Sequence, residues 1–156
     1  MTSSQQAPSR PDRVPLRIRI DGITSDSPLD GAWWPQSSDL QTECADLVNH
    51  LPEQHGRVAR MLFSRPDWDD QLPWPRSISV ARGRVKIGSF PGDDTHLMTL
   101  VLSSRARLRL LVIPRDTKRG VALTLMSQAA DSRNRRSASD LLAKVAAPAD
   151  NAGRPR

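Results

Sequence analysis

Trp33-Trp34-Pro35 is the tightest local constraint in this chain. A proline disfavours the α conformation in the residue before it, so Trp34 is extended. Side chains of neighbouring extended residues point to opposite sides. The two indoles therefore diverge, one toward a core and the other toward a groove or solvent. Asp30-Gly31 ahead of them is a turn signal, because glycine takes positive φ without steric cost. Ser38-Asp39-Leu40-Gln41 after them fits a capping box, with a hydroxyl at the N-cap and a Gln at the third helical position. Leu40, Cys44, Leu47, Val48 and Leu51 then form the single apolar stripe of an amphipathic helix over 38–51. Two readings of the Trp pair stay open: an anchor that plugs a loop over a small core, and a stacking surface at a ligand site.

The rest of the chain reads as strands followed by helix. Leu16 to Ile20 alternates apolar residues with Arg17 and Arg19, the pattern of a half-buried strand. Residues 57–64 are a second strand. Residues 76–80 and 84–90 form a hairpin about Ala81-Arg82-Gly83, and 95–102 with 107–113 form another about 103–106. A helix is expected over 117–130, capped by Asp116 or Thr117, and a short one over 139–145. Short connections favour antiparallel pairing. The expected fold is α+β: an antiparallel sheet of about six strands with two to three helices packed on one face. Residues 1–13 read as a disordered arm, 14–131 as one α+β domain, and 132–156 as a basic linker with a possible short helix and a disordered tail.

Charge is unevenly placed among the 156 residues. Residues 1–104 carry 11 Lys/Arg against 13 Asp/Glu, a balance of −2. Residues 105–156 carry 12 Lys/Arg against 4 Asp, a balance of +8 that makes the whole chain +6. Such asymmetry suits an anionic partner. No stretch has the roughly 20 apolar residues of a membrane span, and the polar start lacks the apolar core of a secretory signal. A cytoplasmic protein without membrane contact is expected. Cys44 stands alone, which rules out an internal disulfide framework. It lies on the apolar stripe beside Glu43, a setting for a buried, unreactive thiol.

The chain resembles an actinobacterial family known only as a domain of unknown function. The resembling marks are the strand Leu16–Ile20, Asp30-Gly31-Ala32-Trp33-Trp34-Pro35 with Ser38-Asp39-Leu40 after it, Trp68 following the second strand, and Leu111-Val112-Ile113-Pro114 before the late helix. The resemblance covers roughly residues 15–130 and implies no activity, cofactor or catalytic residue.

No catalytic constellation is visible, and neither a cofactor nor a metal is expected. His50 and His55 flank Pro52 and cannot share one helical face. Asp67, Asp69 and Asp70 lack the Gly and terminal Glu of a calcium loop. The best positive signal is basic residues on alternating strand positions, which would share one sheet face: Arg17, Arg19, Arg84, Lys86, Arg107 and Arg109, assisted by Arg133, Arg135 and Arg136. Nucleic acid or an acidic protein is the expected partner of such a non-enzymatic module, through counterion release if nucleic acid. The alternative is a small-ligand site or enzyme where the two Trp–Asp loops meet, built from Trp33, Trp34, Trp68 and Trp74 with Asp67, Asp69 and Asp70. Indoles stack on sugars or cations while carboxylates accept hydrogen bonds.

Overall fold

The computed structural model describes residues 14–21, 27–89 and 95–143. The arm at 1–13 and the tail beyond 143 lie outside these residues. In chain order the elements are β1 (Ile18–Ile20), β2 (Gly31–Trp33), α1 (Leu40–His50), β3 (Val58–Phe63), β4 (Ser77–Val80), β5 (Gly83–Ser89), β6 (Leu97–Leu102), β7 (Arg107–Val112) and α2 (Arg119–Ala130). A further helical segment, α3, covers 138–143.

The strands form one sheet in the order β1-β2-β7-β6-β3-β5-β4. The fold is α+β as expected, but the sheet has seven strands and is mixed. β2 runs parallel to β7, and β3 runs parallel to β5. The hairpins β4–β5 and β6–β7 are antiparallel, as their short turns require. The two parallel pairs join segments far apart in sequence, where connection length imposes no direction.

The unexpected strand is β2, which lies inside the stretch read as a Trp loop. Gly31 does not serve a positive-φ turn there. A Cβ on Gly31 would stand 2.0 Å from the Arg19 carbonyl oxygen. Glycine is needed because β1 passes against it. β2 is the join of the sheet, antiparallel to β1 on one side and parallel to β7 on the other.

The helices lie on opposite faces, not on one. Alternation along each strand sorts the side chains into two cores. Trp33, Leu110 and Val112 face α1, whose Leu40, Cys44 and Leu47 meet Met61, Phe63, Ile78, Val85, Met98 and Leu100. Ala32 and Leu111 face the other way, toward Ala122, Leu125 and Ala129 of α2 and Ala138 and Leu141 of α3. α2 packs on β2, β1 and β7. It leaves β3, β5 and β4 bare over much of that face, while on β6 Leu97 packs against this core and Thr99 is buried.

Helix α1 starts one residue later than the capping box implied. Asp39 is its N-cap and accepts from the Thr42 amide at 3.0 Å. Gln41 instead reaches the edge strand: its Nε2 donates to the Ser79 carbonyl at 2.8 Å, and its Oε1 accepts from the Ser79 amide at 3.0 Å. Asn49, two turns on, accepts from the Ala81 amide. Gln41 thus occupies both backbone groups of Ser79 on β4 that would otherwise be open to another chain, and Asn49 takes the amide of the turn residue after the strand. α2 begins at Arg119 after Lys118, with no side-chain cap from Asp116 or Thr117.

Two glycines give opposite expectations. Gly31→Ala forces β1 away and should cost about 1–3 kcal/mol or more, as overpacking does. Gly120 lies in α2 with nothing within 4 Å of an added Cβ, so Gly120→Ala should stabilise by up to about 1 kcal/mol. Urea unfolding of the two variants checks the pair; equal signs would contradict the packing described.

Candidate functional site

The basic residues expected on one face divide into two sets. Arg17 is structural. Its guanidinium lies 3.7 Å from the centre of the Trp34 ring, and it donates to the Trp34 and Pro35 carbonyls, each at 3.0 Å. Arg109 is also occupied. Its amide donates to the buried Asp30 carboxylate at 2.8 Å, its Nε stands 3.5 Å from the same oxygen, and its guanidinium donates to the Ser27 carbonyl. Asp30, read as a turn residue, is therefore an internal anchor for β7. Arg19 forks onto Asp21 at the far edge. Arg133 forks onto Asp131, which lies in the segment after α2; hydrogen bonding from Arg133 holds the Asp131 carboxyl below its ordinary value. Arg135 and Arg136 are exposed in that same segment.

Arg84, Lys86 and Arg107 share the bare part of the face. The strand registers align Arg107 with Val101, Val101 with Arg60, Arg60 with Lys86, and Lys86 with Ser77. One row thus crosses five strands and carries three exposed cations. At about 4.8 Å per strand, Lys86 and Arg107 are some three steps apart. Arg60 was not expected at this site; β3 gave no clear alternation, because a bulge between Val58 and Arg60 breaks its period. Arg84 flanks the row and donates to the hydroxyls of Ser77 and Ser79. Among the described residues no carboxylate pairs with Arg60, Lys86 or Arg107.

The two Trp–Asp loops do meet, but through packed rings. Trp33 and Trp68 lie 5.6 Å apart between centroids, and Trp74 sits 5.3 Å from Phe63. The Asp69 amide donates to the Ser38 carbonyl and ties one loop to the other. Trp33 and Trp34 are 1% and 6% exposed. They diverge as expected, yet neither reaches solvent, because both faces of the sheet are covered at β2. Trp34 enters the α2 core and donates from Nε1 to the Arg115 carbonyl at 3.3 Å. Asp69 and Asp70 are exposed, while Asp67 is drawn inward.

A cavity of about 270 Å³ opens at the end of the sheet where β3 and β7 finish and β6 begins. It is lined by Pro35, Ser37 and Ser38 from before α1, Pro66 and Asp67 after β3, His96 before β6, and the segment 112–116 that starts at the last residue of β7. No indole lines it. His96 Nδ1 stands 2.7 Å from Asp67 Oδ1. Nothing in the sequence connects His96 to Asp67.

The thiol of Cys44 takes no part in either site. Burial pushes it well above the ordinary thiol range, with Glu43 and then Asp39 adding to the rise. Among the described residues no group of three or more His, Cys, Asp or Glu is placed to hold a metal ion, and no helix is long and apolar enough to cross a membrane.

The architecture is thus a mixed α+β sheet clad on both faces, with a bare basic row and a cavity at one strand end. The chain belongs to a family of unknown function (DUF5994), whose model matches residues 16–129. No curated protein and no solved structure matches it.

The position of the indoles gives a test. Trp33→Ala and Trp34→Ala each empty a buried site on a different face, and each should cost about 3–5 kcal/mol. Chemical denaturation of both variants measures this. A cost under about 1 kcal/mol for either would contradict a two-sided core.

Proposed function

We propose that the protein is a binding module for an anionic partner, nucleic acid or an acidic protein, which it contacts through the row Arg60, Lys86 and Arg107. Arg84 flanks the row, and Arg135 and Arg136 assist from the C-terminal segment. One observation carries this reading. Arg60 and Lys86 are register partners on the adjacent strands β3 and β5, and among the described residues no carboxylate pairs with either. Like charges in that position repel and destabilise a sheet. A bound anion removes the repulsion, so the site gains on binding what the free fold lacks.

The bare face holds no aromatic side chain among its described strand positions, which disfavours base stacking. Contacts to nucleic acid would then be to phosphates, and sequence-independent. Arg17 and Arg109 drop out as contacts because each is part-buried and its guanidinium is fixed on partners distant in the chain, whereas Arg84 and Arg135 stay exposed and bond only to hydroxyls or carbonyls close in sequence.

Affinity for duplex DNA, measured by fluorescence anisotropy over a range of salt, should fall with a log–log slope of about −0.9 per phosphate neutralised. Replacing Arg60, Lys86 and Arg107 together by Gln should reduce the magnitude of that slope by about 2.7. Arg109→Gln should instead lower stability and leave the slope near its original value. Binding of an acidic peptide in preference to DNA, with the same loss in the triple variant, would assign the row to a protein partner. Absence of binding to either at low salt would contradict the proposal.

A further inference from the structure

The cavity at the strand end is remote in register from the basic row. The row includes the first residue of β7, whereas the cavity is lined from its last residue onward. Its chemistry is also different. Asp67 and Asp116 are set against Arg115 and the imidazole of His96, with the hydroxyl-bearing Ser37 and Ser38 on the rim. The side walls are prolines and aliphatic residues. Such a lining mixes donors and acceptors without a strong excess of either charge.

Within it, Asp67 and His96 form an ordered pair. The Asp67 side chain is 2% exposed and that of His96 is 34% exposed. Neither carboxylate oxygen of Asp67 receives a well-directed hydrogen bond, although His96 Nδ1 stands at 2.7 Å. The close approach is off-line for the donor hydrogen, as catalytic and binding contacts often are before a ligand seats. The Asp67 side chain lies deeper in the wall than the ring, so the ring is the group a ligand meets first. His96 also has φ of +65°, a left-handed backbone that non-glycine residues seldom adopt. Strain of this kind clusters at ligand sites. Here it falls on the residue just before β6, whose imidazole stands against Asp67.

We propose that this cavity binds a small neutral polyol, with His96 Nε2 as the polar contact and Asp67 as the positioning residue behind it. With Nδ1 turned toward Asp67, Nε2 is the ring nitrogen left for a ligand. A hydroxyl both donates and accepts, so it pairs with Nε2 in either protonation state of the ring. Ser38 and Asp116 offer further hydroxyl partners, and the proline faces suit the CH edges of a polyol. The volume is below the usual range of drug-sized pockets, roughly 300–1,000 Å³, which limits the occupant to about a monosaccharide. An anion would meet Asp67 and Asp116, and an organic cation would meet Arg115.

The test uses the full chain and the ring nitrogens of its three histidines, His50, His55 and His96. Long-range ¹H–¹⁵N spectra report each imidazole, and His96→Gln assigns the signal. Glycerol, myo-inositol and glucose are titrated to millimolar levels, with acetate and ethylammonium as charged controls. At least one polyol should shift the His96 signal saturably and leave the other two histidines unmoved. Asp67→Asn should weaken that binding by about tenfold or more and change the Nδ1–H signature of the ring. A merely structural Asp67 would leave the ring signature unchanged. If Asp67→Asn does not fold, saturation-transfer NMR of the polyol with His96→Gln replaces it, and loss of the transfer signal is the expected result. No saturable shift from any of the three polyols, tighter binding of acetate or ethylammonium, or unchanged binding in the variant would overturn the proposal.

Discussion

Three residues wedged between two strands, Gly31, Ala32 and Trp33, carry a disproportionate share of this fold. β2 receives β1 at van der Waals range on one edge, which only a glycine permits, and pairs with β7 on the other. Alternation then sends Ala32 to one face and Trp33 to the other, with Trp34 continuing the pattern beyond the strand. Each face needs its own cover, so α1 closes one and α2 the other. Flanking backbone bonds extend the wedge: the Asp30 amide donates to the Arg109 carbonyl at 2.7 Å, the Trp34 amide to the Arg17 carbonyl, and the Ile113 amide to the Trp33 carbonyl.

Three buried acidic side chains act at the margins of this wedge. Asp30 meets the amide of Arg109 and its guanidinium. Glu43 accepts from the Gln36 amide and the Ser37 hydroxyl, fastening the turn between β2 and α1. Asp67 stands behind His96. A buried carboxylate is tolerated when its oxygens have partners. Glu43 is engaged at both oxygens and Asp30 at Oδ2, while Asp30 Oδ1 has no partner. Asp67, with no well-directed donor, differs from them, and that difference sets the cavity apart from a mere gap in packing. The basic row is the complementary case on the surface, where cations lack partners instead.

Most elements were legible in the sequence, because periodicity is local. The stripe of α1, the hairpins at Ala81-Arg82 and at 103–106, and the inert position of Cys44 all follow from residues near one another. β2 was not legible. Its three residues are too few for alternation to register, and its partner β7 lies nearly eighty positions on. The parallel β2–β7 pair and the placing of helices on both faces depend on that one strand, so they were missed with it; the parallel β3–β5 pair was missed separately, because β4 intervenes between its strands. The candidate basic row was partly legible for the same reason. Arg84, Lys86 and Arg107 alternate on clean strands, while Arg60 sits beyond a bulge that hides its phase. Gln41 read as a cap residue, since the strand edge it serves is formed by residues far away. The Asp67–His96 pair joins two loops that only the folded sheet brings together.

Native-state hydrogen exchange at the join tests the two-sided core most directly. If β2 is an internal strand clad on both faces, the amides of Trp34 and Ile113, with that of Asp30, should exchange only through global unfolding. Their opening free energies should equal that from denaturant unfolding, as for core strands generally. Exchange of these amides through local opening, at rates like those of a surface loop, would contradict it.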